Sequence, residues 1–121
     1  MRCQSFSMNF SLIEINSLKQ TEFVNSYQLG KMLEGLGRDL NEWPPILVEE
    51  RDHYILDGHH RVQLAKILKE KKIKAYLVSY RDDRLKVYDY TSGKLLNKDD
   101  LLKKYEAGMK LPVKSTRHIM D

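Results

Sequence analysis

The segment at residues 57–61, Asp-Gly-His-His-Arg, constrains the fold more than any other because it joins two predicted elements without a linker. Residues 53–56 before it are β-prone, and residues 59–72 carry an apolar stripe at helical spacing. A helix that starts at a glycine turn presents free backbone amides and the positive end of its dipole. The junction therefore predicts a binding site for an anion such as phosphate.

Each residue of this segment suits a role in binding phosphate or in the chemistry beside it. Gly58 permits a tight turn and a close approach of the backbone to a ligand. The imidazoles of His59 and His60 can donate hydrogen bonds, and Arg61 can offer a planar fork to phosphate oxygens. Asp57 suits other roles, which are to hold a metal ion, to orient a hydroxyl or to assist a proton transfer.

A purely structural interpretation exists for each of these residues taken singly. Asp57 can cap the helix, Gly58 can make the turn, and the histidines can be ordinary surface residues. The combination of two imidazoles, a guanidinium and a carboxylate at one helix entrance favours function. A zinc site is less favoured, because His59 and His60 diverge by about a hundred degrees on a helix and no Cys or further His has ligand spacing.

The rest of the chain predicts an α/β fold, a small mixed sheet with flanking helices, in a single domain over residues 1–121. Strands are expected at residues 10–15, 46–48, 53–56, 73–80 and 85–90. The second and third should form a hairpin, as should the fourth and fifth. Residues 22–40, where glycines weaken the helical pattern, predict one interrupted helix or two short ones, and further helices are expected at residues 59–72 and between Asn97 and Gly108. Residues 111–121 are expected to be irregular, and Trp43 is expected to pack in the core or against the hairpin.

Composition indicates the compartment and the class of partner. The single cysteine, Cys3, cannot form an internal disulfide, no secretory leader opens the chain, and no apolar run approaches the roughly 20 residues of a membrane helix. We therefore expect a soluble cytoplasmic protein with no membrane partner. The net charge of +4 favours anionic partners without choosing among nucleotide, phosphorylated metabolite and nucleic acid. Taken singly, most of the lysines are better explained as solvated helix faces.

Glu14 is a further candidate because it is the charged residue of a short apolar strand. Such a setting can raise the pKa of a carboxyl toward the range of a general base, provided that the fold brings it to a cleft. Considered alone, Glu14 is better explained as an outward strand residue or an ion-pair partner.

The polar run at residues 114–118, Lys-Ser-Thr-Arg-His, is a second candidate anion site. Ser115 and Thr116 offer hydroxyls for oxygen contacts, while Arg117 and His118 offer charge or a surface for base stacking. A loose basic tail is the alternative. The apolar residues on both sides of the run favour docking onto the domain.

Four segments together resemble the nucleotide-binding fold shared by ParB N-terminal domains and sulfiredoxins, and most closely the ADP-dependent free serine kinases of archaea. They are residues 12–19 around Glu14, residues 43–47 (Trp-Pro-Pro-Ile-Leu), residues 54–61 (Tyr-Ile-Leu-Asp-Gly-His-His-Arg) and residues 114–118. They recur in the family's order and span nearly the whole chain, so the resemblance implies the ParB/sulfiredoxin-like fold.

The resemblance also implies an activity, which is transfer of a phosphoryl group from ADP, or from ATP in related members, to free L-serine, giving O-phosphoserine. It implies Glu14 as the base for the serine hydroxyl and Asp57 as a catalytic or Mg²⁺-orienting carboxylate. It places His59, His60 and Arg61 around the phosphates. The residues that it places at the nucleotide are Ser115, Thr116, Arg117 and His118. Amides, cationic side chains and Mg²⁺ supply the positioning and charge neutralisation that phosphoryl transfer requires.

The main alternative is a ParB-like module that binds DNA or a protein partner in a nucleotide-dependent manner and transfers nothing. The characteristic ParB motif is richer in arginine than residues 57–61, and this sequence carries no helix-turn-helix for reading DNA. Sulfiredoxin is less similar, because its catalytic cysteine directly precedes a His-Arg pair, whereas position 58 is glycine.

Overall fold

A computed structural model describes residues 10–120, so Cys3 lies outside the described residues. In chain order the elements are β1 (Ser11–Glu14), α1 (Ser26–Leu36), β2 (Ile46–Glu49), β3 (Ile55–Asp57), α2 (His59–Ile67), β4 (Lys72–Val78), β5 (Leu85–Asp89), α3 (Lys98–Glu106) and β6 (Thr116–Met120). Short 3-10 helices lie at Ile15–Ser17 and Leu40–Glu42.

Four of the strands form one mixed sheet in the order β1-β4-β2-β3. Strand β4 runs antiparallel to β1 and parallel to β2, and β2 pairs antiparallel with β3. Strands β5 and β6 form a separate antiparallel pair, with Val87 opposite His118. Strands β1 and β3 therefore lie at opposite edges of the larger sheet.

Two predictions about strands are wrong, while the hairpin of β2 and β3 is confirmed. Residues 73–80 and 85–90 do not form a hairpin, because β4 is flanked by β1 and β2 and has no free edge for β5. Residues 111–121 are not wholly irregular, because β6 pairs with β5 over its length. Both errors concern which strand pairs with which, because the actual pairings join strands that lie far apart in the sequence.

Capping side chains decide where two of the helices begin. Asn97 Oδ1 accepts a hydrogen bond from the Asp100 amide at the start of α3, as the sequence predicts. Helix α1 begins at Ser26 rather than at residue 22, because Asn25 Oδ1 accepts hydrogen bonds from amides of the first turn. Residue 22 therefore lies in an extended segment before α1.

The larger sheet separates two hydrophobic cores. Alternate residues of β2 point to opposite faces, so Ile46 and Val48 belong to one core and Leu47 to the other. Helices α1 and α2 cover the first face together with Trp43, which is buried as predicted and donates from its indole nitrogen to a backbone carbonyl. Helix α3, β5 and β6 cover the second face. Among residues 10–120, none of the helices has the length and apolar character needed to span a bilayer.

Candidate functional site

A cavity of about 320 Å³ opens in front of the first turn of α2. The residues that line it come from three parts of the chain: Glu22, Gln28 and Met32 in and before α1, residues 56–61 at the β3–α2 junction, and Tyr90, Lys114 and Thr116 near the second sheet. The strand-turn-helix junction and part of the C-terminal polar run thus share one cavity.

Gly58 makes the junction between β3 and α2 possible. Its φ of 105° lies in the left-handed region, which glycine adopts at no steric cost. A Cβ at this position would clash with the Ile46 side chain, lying 2.9 Å from the Ile46 Cβ. Among the described residues no side chain caps this end of α2. The first-turn amides and the helix dipole are therefore left to interact with a ligand.

Both histidines of the junction act as acceptors for backbone amides. His59 Nε2 lies 3.1 Å from the Thr21 nitrogen and 3.2 Å from the Glu22 nitrogen, and burial lowers the pKa of His59 to about 3. His60 Nε2 accepts from the Asn25 nitrogen at 3.0 Å, and burial lowers the pKa of His60 as well. Both imidazoles line the cavity in the neutral form and tie the segment before α1 to α2. The sequence predicted hydrogen-bond donors to phosphate, but in this arrangement the Nε2 atoms cannot serve that purpose.

Arg61 is engaged with the backbone. Its Nη1 donates to the carbonyl of Pro44 at 2.7 Å and to that of Pro45 at 3.1 Å. The side chain is 11% exposed; burial lowers the pKa of Arg61, while the Asp57 carboxylate, 3.6 Å from Nη2, raises it. The Arg61 guanidinium, which the sequence predicts as a phosphate ligand, is thus largely engaged by carbonyl oxygens. The Asp57 side chain, by contrast, is 59% exposed and open to the cavity.

Glu22 is the carboxyl that the fold buries at this cavity, with 6% of the residue exposed. Its Oε2 accepts hydrogen bonds from the Thr116 hydroxyl at 2.5 Å and from the Thr116 amide at 3.2 Å. Burial raises the pKa of Glu22, and the hydrogen bonds from Thr116 partly offset the rise. A carboxyl of raised pKa inside a cavity can accept a proton from a bound ligand. Sequence reasoning missed this residue, because it placed Glu22 at the start of the predicted helix, where a single glutamate carries no signal of its own.

The structure does not bring Glu14 to this cavity. Glu14 is exposed at the end of β1, opposite Lys72, and it is not one of the lining residues. Its strand lies at the edge of the sheet opposite β3, from which the junction starts. The geometry therefore favours Glu22 over Glu14 as a candidate base.

The structure divides the C-terminal polar run. Lys114 and Thr116 line the cavity, and Lys114 has a φ of 53°, a conformation that few non-glycine residues adopt. Ser115 Oγ donates to a backbone carbonyl at 2.5 Å, and Arg117 is exposed on the face of β6 away from Thr116. His118 is 5% exposed, with its Nε2 2.6 Å from a buried tyrosine hydroxyl. Of the four residues predicted at the nucleotide, which are Ser115, Thr116, Arg117 and His118, Thr116 alone lines the cavity.

Comparison with known proteins identifies the fold. No protein-family model matches the chain, and no curated protein has a matching sequence. A conserved hypothetical protein from Pyrococcus furiosus matches with a TM-score of 0.77 at 14% identity, over 93% of this chain and 91% of that chain. A free serine kinase in complex with AMP gives 0.76 at 14% identity, over 93% and 88%. SbnI with a C-terminal truncation, from Staphylococcus aureus, gives 0.67 at 11% identity, over 93% and 83%.

These likenesses define the class of fold. The chain has a small mixed α/β fold that matches the fold of free serine kinase. Other structures of that kinase hold ADP or carry a replaced glutamate. At 14% identity the likeness establishes the fold alone.

Proposed function

We propose that this protein is a nucleotide-dependent small-molecule kinase of the ParB/sulfiredoxin-like class, with ADP or ATP as phosphoryl donor and free L-serine as acceptor. The observation that carries the proposal is the placement of Glu22, a buried carboxyl, on the same cavity as the glycine-capped start of α2. The carboxyl is a base for a hydroxyl, and the helix start offers positive potential to phosphate oxygens. The likeness of the fold to kinase structures that hold AMP or ADP supports the choice of nucleotide.

The proposed reaction places the acceptor hydroxyl and the terminal phosphate between these two groups. Glu22 takes the hydroxyl proton as the serine oxygen forms a bond to the terminal phosphorus. The bond from that phosphorus to its bridging oxygen breaks, so AMP leaves when ADP is the donor and ADP leaves when ATP is. The amides of the first turn of α2 and the Lys114 ammonium, which lines the cavity, stabilise the charge on the phosphate oxygens.

His59 is not the base in this scheme, although it lies beside Glu22. Its Nε2 faces two backbone amides, and its pKa of about 3 makes it a poor proton acceptor at pH 7. We assign it the role of holding the backbone of Glu22 against α2. His60 has the same role for Asn25.

Asp57 is the residue that we assign to Mg²⁺. Enzymes that act on nucleotides usually hold Mg²⁺ through one or two carboxylates together with substrate phosphates. Asp57 fits that pattern, because its side chain is 59% exposed and lines the cavity. Within residues 10–120 no group of three or more His, Cys, Asp or Glu forms a metal site. When bound, Mg²⁺ would neutralise part of the phosphate charge.

Phosphorus NMR of the protein with Mg²⁺, L-serine and either ADP or ATP tests the proposal. We expect a phosphoserine resonance to rise together with AMP or ADP in equal amounts, and no nucleotide consumption when serine is left out. L-threonine and ethanolamine in place of serine test the acceptor. Absence of any phosphorylated acceptor with both nucleotides would overturn the kinase assignment. Salt-sensitive binding to duplex DNA that depends on nucleotide would then favour the ParB-like module.

A further inference from the structure

A network of buried hydroxyl and imidazole groups lies near Glu22 in the second core, and its tyrosines do not line the cavity. Its deepest contact joins the Tyr80 hydroxyl to His118 Nε2 at 2.6 Å. The Tyr80 hydroxyl also lies 3.4 Å from the Tyr105 hydroxyl. The rings of Tyr80 and Tyr105 are tilted at 51° with centroids 6.2 Å apart, and Tyr80 stacks on His118 at 5.7 Å. These three side chains are almost fully buried.

The network reaches Glu22 through Thr116. Burial raises the pKa of Tyr105 and the Glu22 charge raises it further, while the neighbouring hydroxyls of Tyr80, Thr21 and Thr116 lower it. Thr116 in turn donates its hydroxyl to Glu22 Oε2. The hydrogen bond between Thr116 and Glu22 at the cavity and the buried group of Tyr105, Tyr80 and His118 are therefore neighbours in the fold.

The geometry of β6 connects this buried group to the hydrogen bond at Glu22. Thr116 and His118 are two positions apart in β6, so their side chains point to the same face, toward the interior. The hydrogen bond between His118 and Tyr80 thus fixes the part of β6 that places the Thr116 side chain against Glu22. His118 Nδ1 is buried and has no hydrogen-bond partner among the described residues. A buried unsatisfied nitrogen is unfavourable for packing alone.

We propose that Tyr105, Tyr80 and His118 are positioning residues that hold the Thr116 hydroxyl on the Glu22 carboxylate and thereby set the proton affinity of Glu22. The catalytic meaning of this role rests on the proposed function. The geometric part of the role does not depend on it.

Among the interactions around Glu22, the hydrogen bond from the Thr116 hydroxyl is the one that a substitution can remove without changing a charge. His59 of α2 and Tyr105 of α3 face Glu22 but stay neutral near pH 7, since burial lowers the pKa of His59 to about 3 and raises that of Tyr105. Lys114 before β6 and Asp57 at the end of β3 line the same cavity and carry opposite charges. A variant that loosens Thr116 therefore changes the hydrogen bond without changing any charge at the cavity.

Carbon-13 NMR titration of the Glu22 carboxyl in the ligand-free protein tests this proposal, with the resonance assigned from its loss in Glu22→Gln. Thr116→Val should raise the Glu22 midpoint by about one pH unit, a tenfold change in proton affinity. Tyr105→Phe and Tyr80→Phe should raise it in the same direction by a smaller, resolvable amount. Tyr54→Phe is the matched control, because it removes one hydroxyl from the same aromatic cluster but lies outside the network, and it should leave the midpoint unchanged.

The proposal fails if Tyr105→Phe and Tyr80→Phe both titrate like the wild type while Thr116→Val shifts, or if Tyr54→Phe shifts as much as they do. Amide spectra of each variant verify its fold, and if one tyrosine variant does not fold, the other carries the test. The titration needs no nucleotide, so absence of phosphoryl transfer would count against the proposed function and leave this measurement intact. If transfer is observed, the acidic limb of the kcat profile should move with the midpoint.

Discussion

Glu22 and Thr116 are 94 positions apart in the chain, yet the Thr116 hydroxyl donates to the Glu22 carboxylate across 2.5 Å. This bond joins the segment before α1 to the last strand, and both residues line the cavity in front of α2. The candidate site thus depends on contacts between the two ends of the described chain. Its stability and its chemistry can be tested separately.

The junction at Gly58 should tolerate no side chain. We expect Gly58→Ala to lower the free energy of unfolding by about 2 to 5 kcal/mol, because the new Cβ meets both a left-handed φ and the Ile46 side chain. Gly93→Ala is the matched control: its φ of 73° is also left-handed, but nothing lies within 4 Å of the added Cβ. That change should cost about 1 kcal/mol. Equal losses in urea unfolding would show that the approach to Ile46 does not limit this position.

The prediction of this junction from sequence succeeded because strand, glycine and helix are adjacent and their signals are local. Helix α2 does start at His59, directly after a glycine of positive φ. Pairing of β5 could not be predicted in the same way, since its partner β6 follows α3. The buried His118 also breaks the apolar alternation that would have marked residues 116–120 as a strand.

Buried neutral histidines should make the protein sensitive to mild acid. His59 and His118 have pKa values lowered to about 3 from 6.5 by burial, so between pH 6.5 and 3 the unfolded chain binds protons that the folded protein does not. Stability is complete above pH 6.5 and falls as the pH decreases through that window, by up to about 1.4 kcal/mol per pH unit for each histidine. Urea unfolding at pH 7.5, 6.0 and 5.0 measures the slope, and constant stability over this range would contradict the burial of both side chains.

We expect Arg61 to contribute more to the stability of the fold than to nucleotide binding. Arg61→Lys keeps the charge but cannot reach the carbonyls of Pro44 and Pro45 with the same planar group, so we expect a loss of about 1 to 3 kcal/mol in unfolding free energy. Urea unfolding and nucleotide calorimetry on the same variant separate the two roles. A variant of unchanged stability that binds nucleotide more weakly would show Arg61 to be a direct phosphate ligand.

Lys114 should supply the cation for the phosphates. We expect Lys114→Gln to weaken ADP binding about tenfold, as the loss of one charge-assisted hydrogen bond does, and to reduce the salt dependence of the affinity. Lys110→Gln serves as the control, because its ammonium lies over the Phe23 ring and does not line the cavity. Calorimetry at two salt concentrations measures both. Equal effects of the two substitutions would indicate only a general attraction of the basic surface.

The site was harder to predict than the fold because its residues meet only in three dimensions. Glu14 had the stronger local signal, a charge within an apolar strand, but that strand is at an exposed edge. Glu22 had no such signal. It is held in its buried position by the hydrogen bond from its backbone amide to His59 Nε2 and by the hydrogen bond from the Thr116 hydroxyl to its carboxylate. Arg117 and His118 were predicted from residue type, whereas the alternation of a strand decides which side chains can reach the cavity.

The comparison of Glu22→Gln with Glu14→Gln tests the central claim most directly, because each removes one carboxylate and keeps the shape of the side chain. In phosphoryl transfer from ADP to L-serine, Glu22→Gln should lower kcat by about 10² to 10⁴ and change the ADP Kd by less than about threefold. Glu14→Gln should match the wild type in both. Turnover by Glu22→Gln at the wild-type rate, or its loss in Glu14→Gln instead, would contradict the assignment of Glu22 as the base.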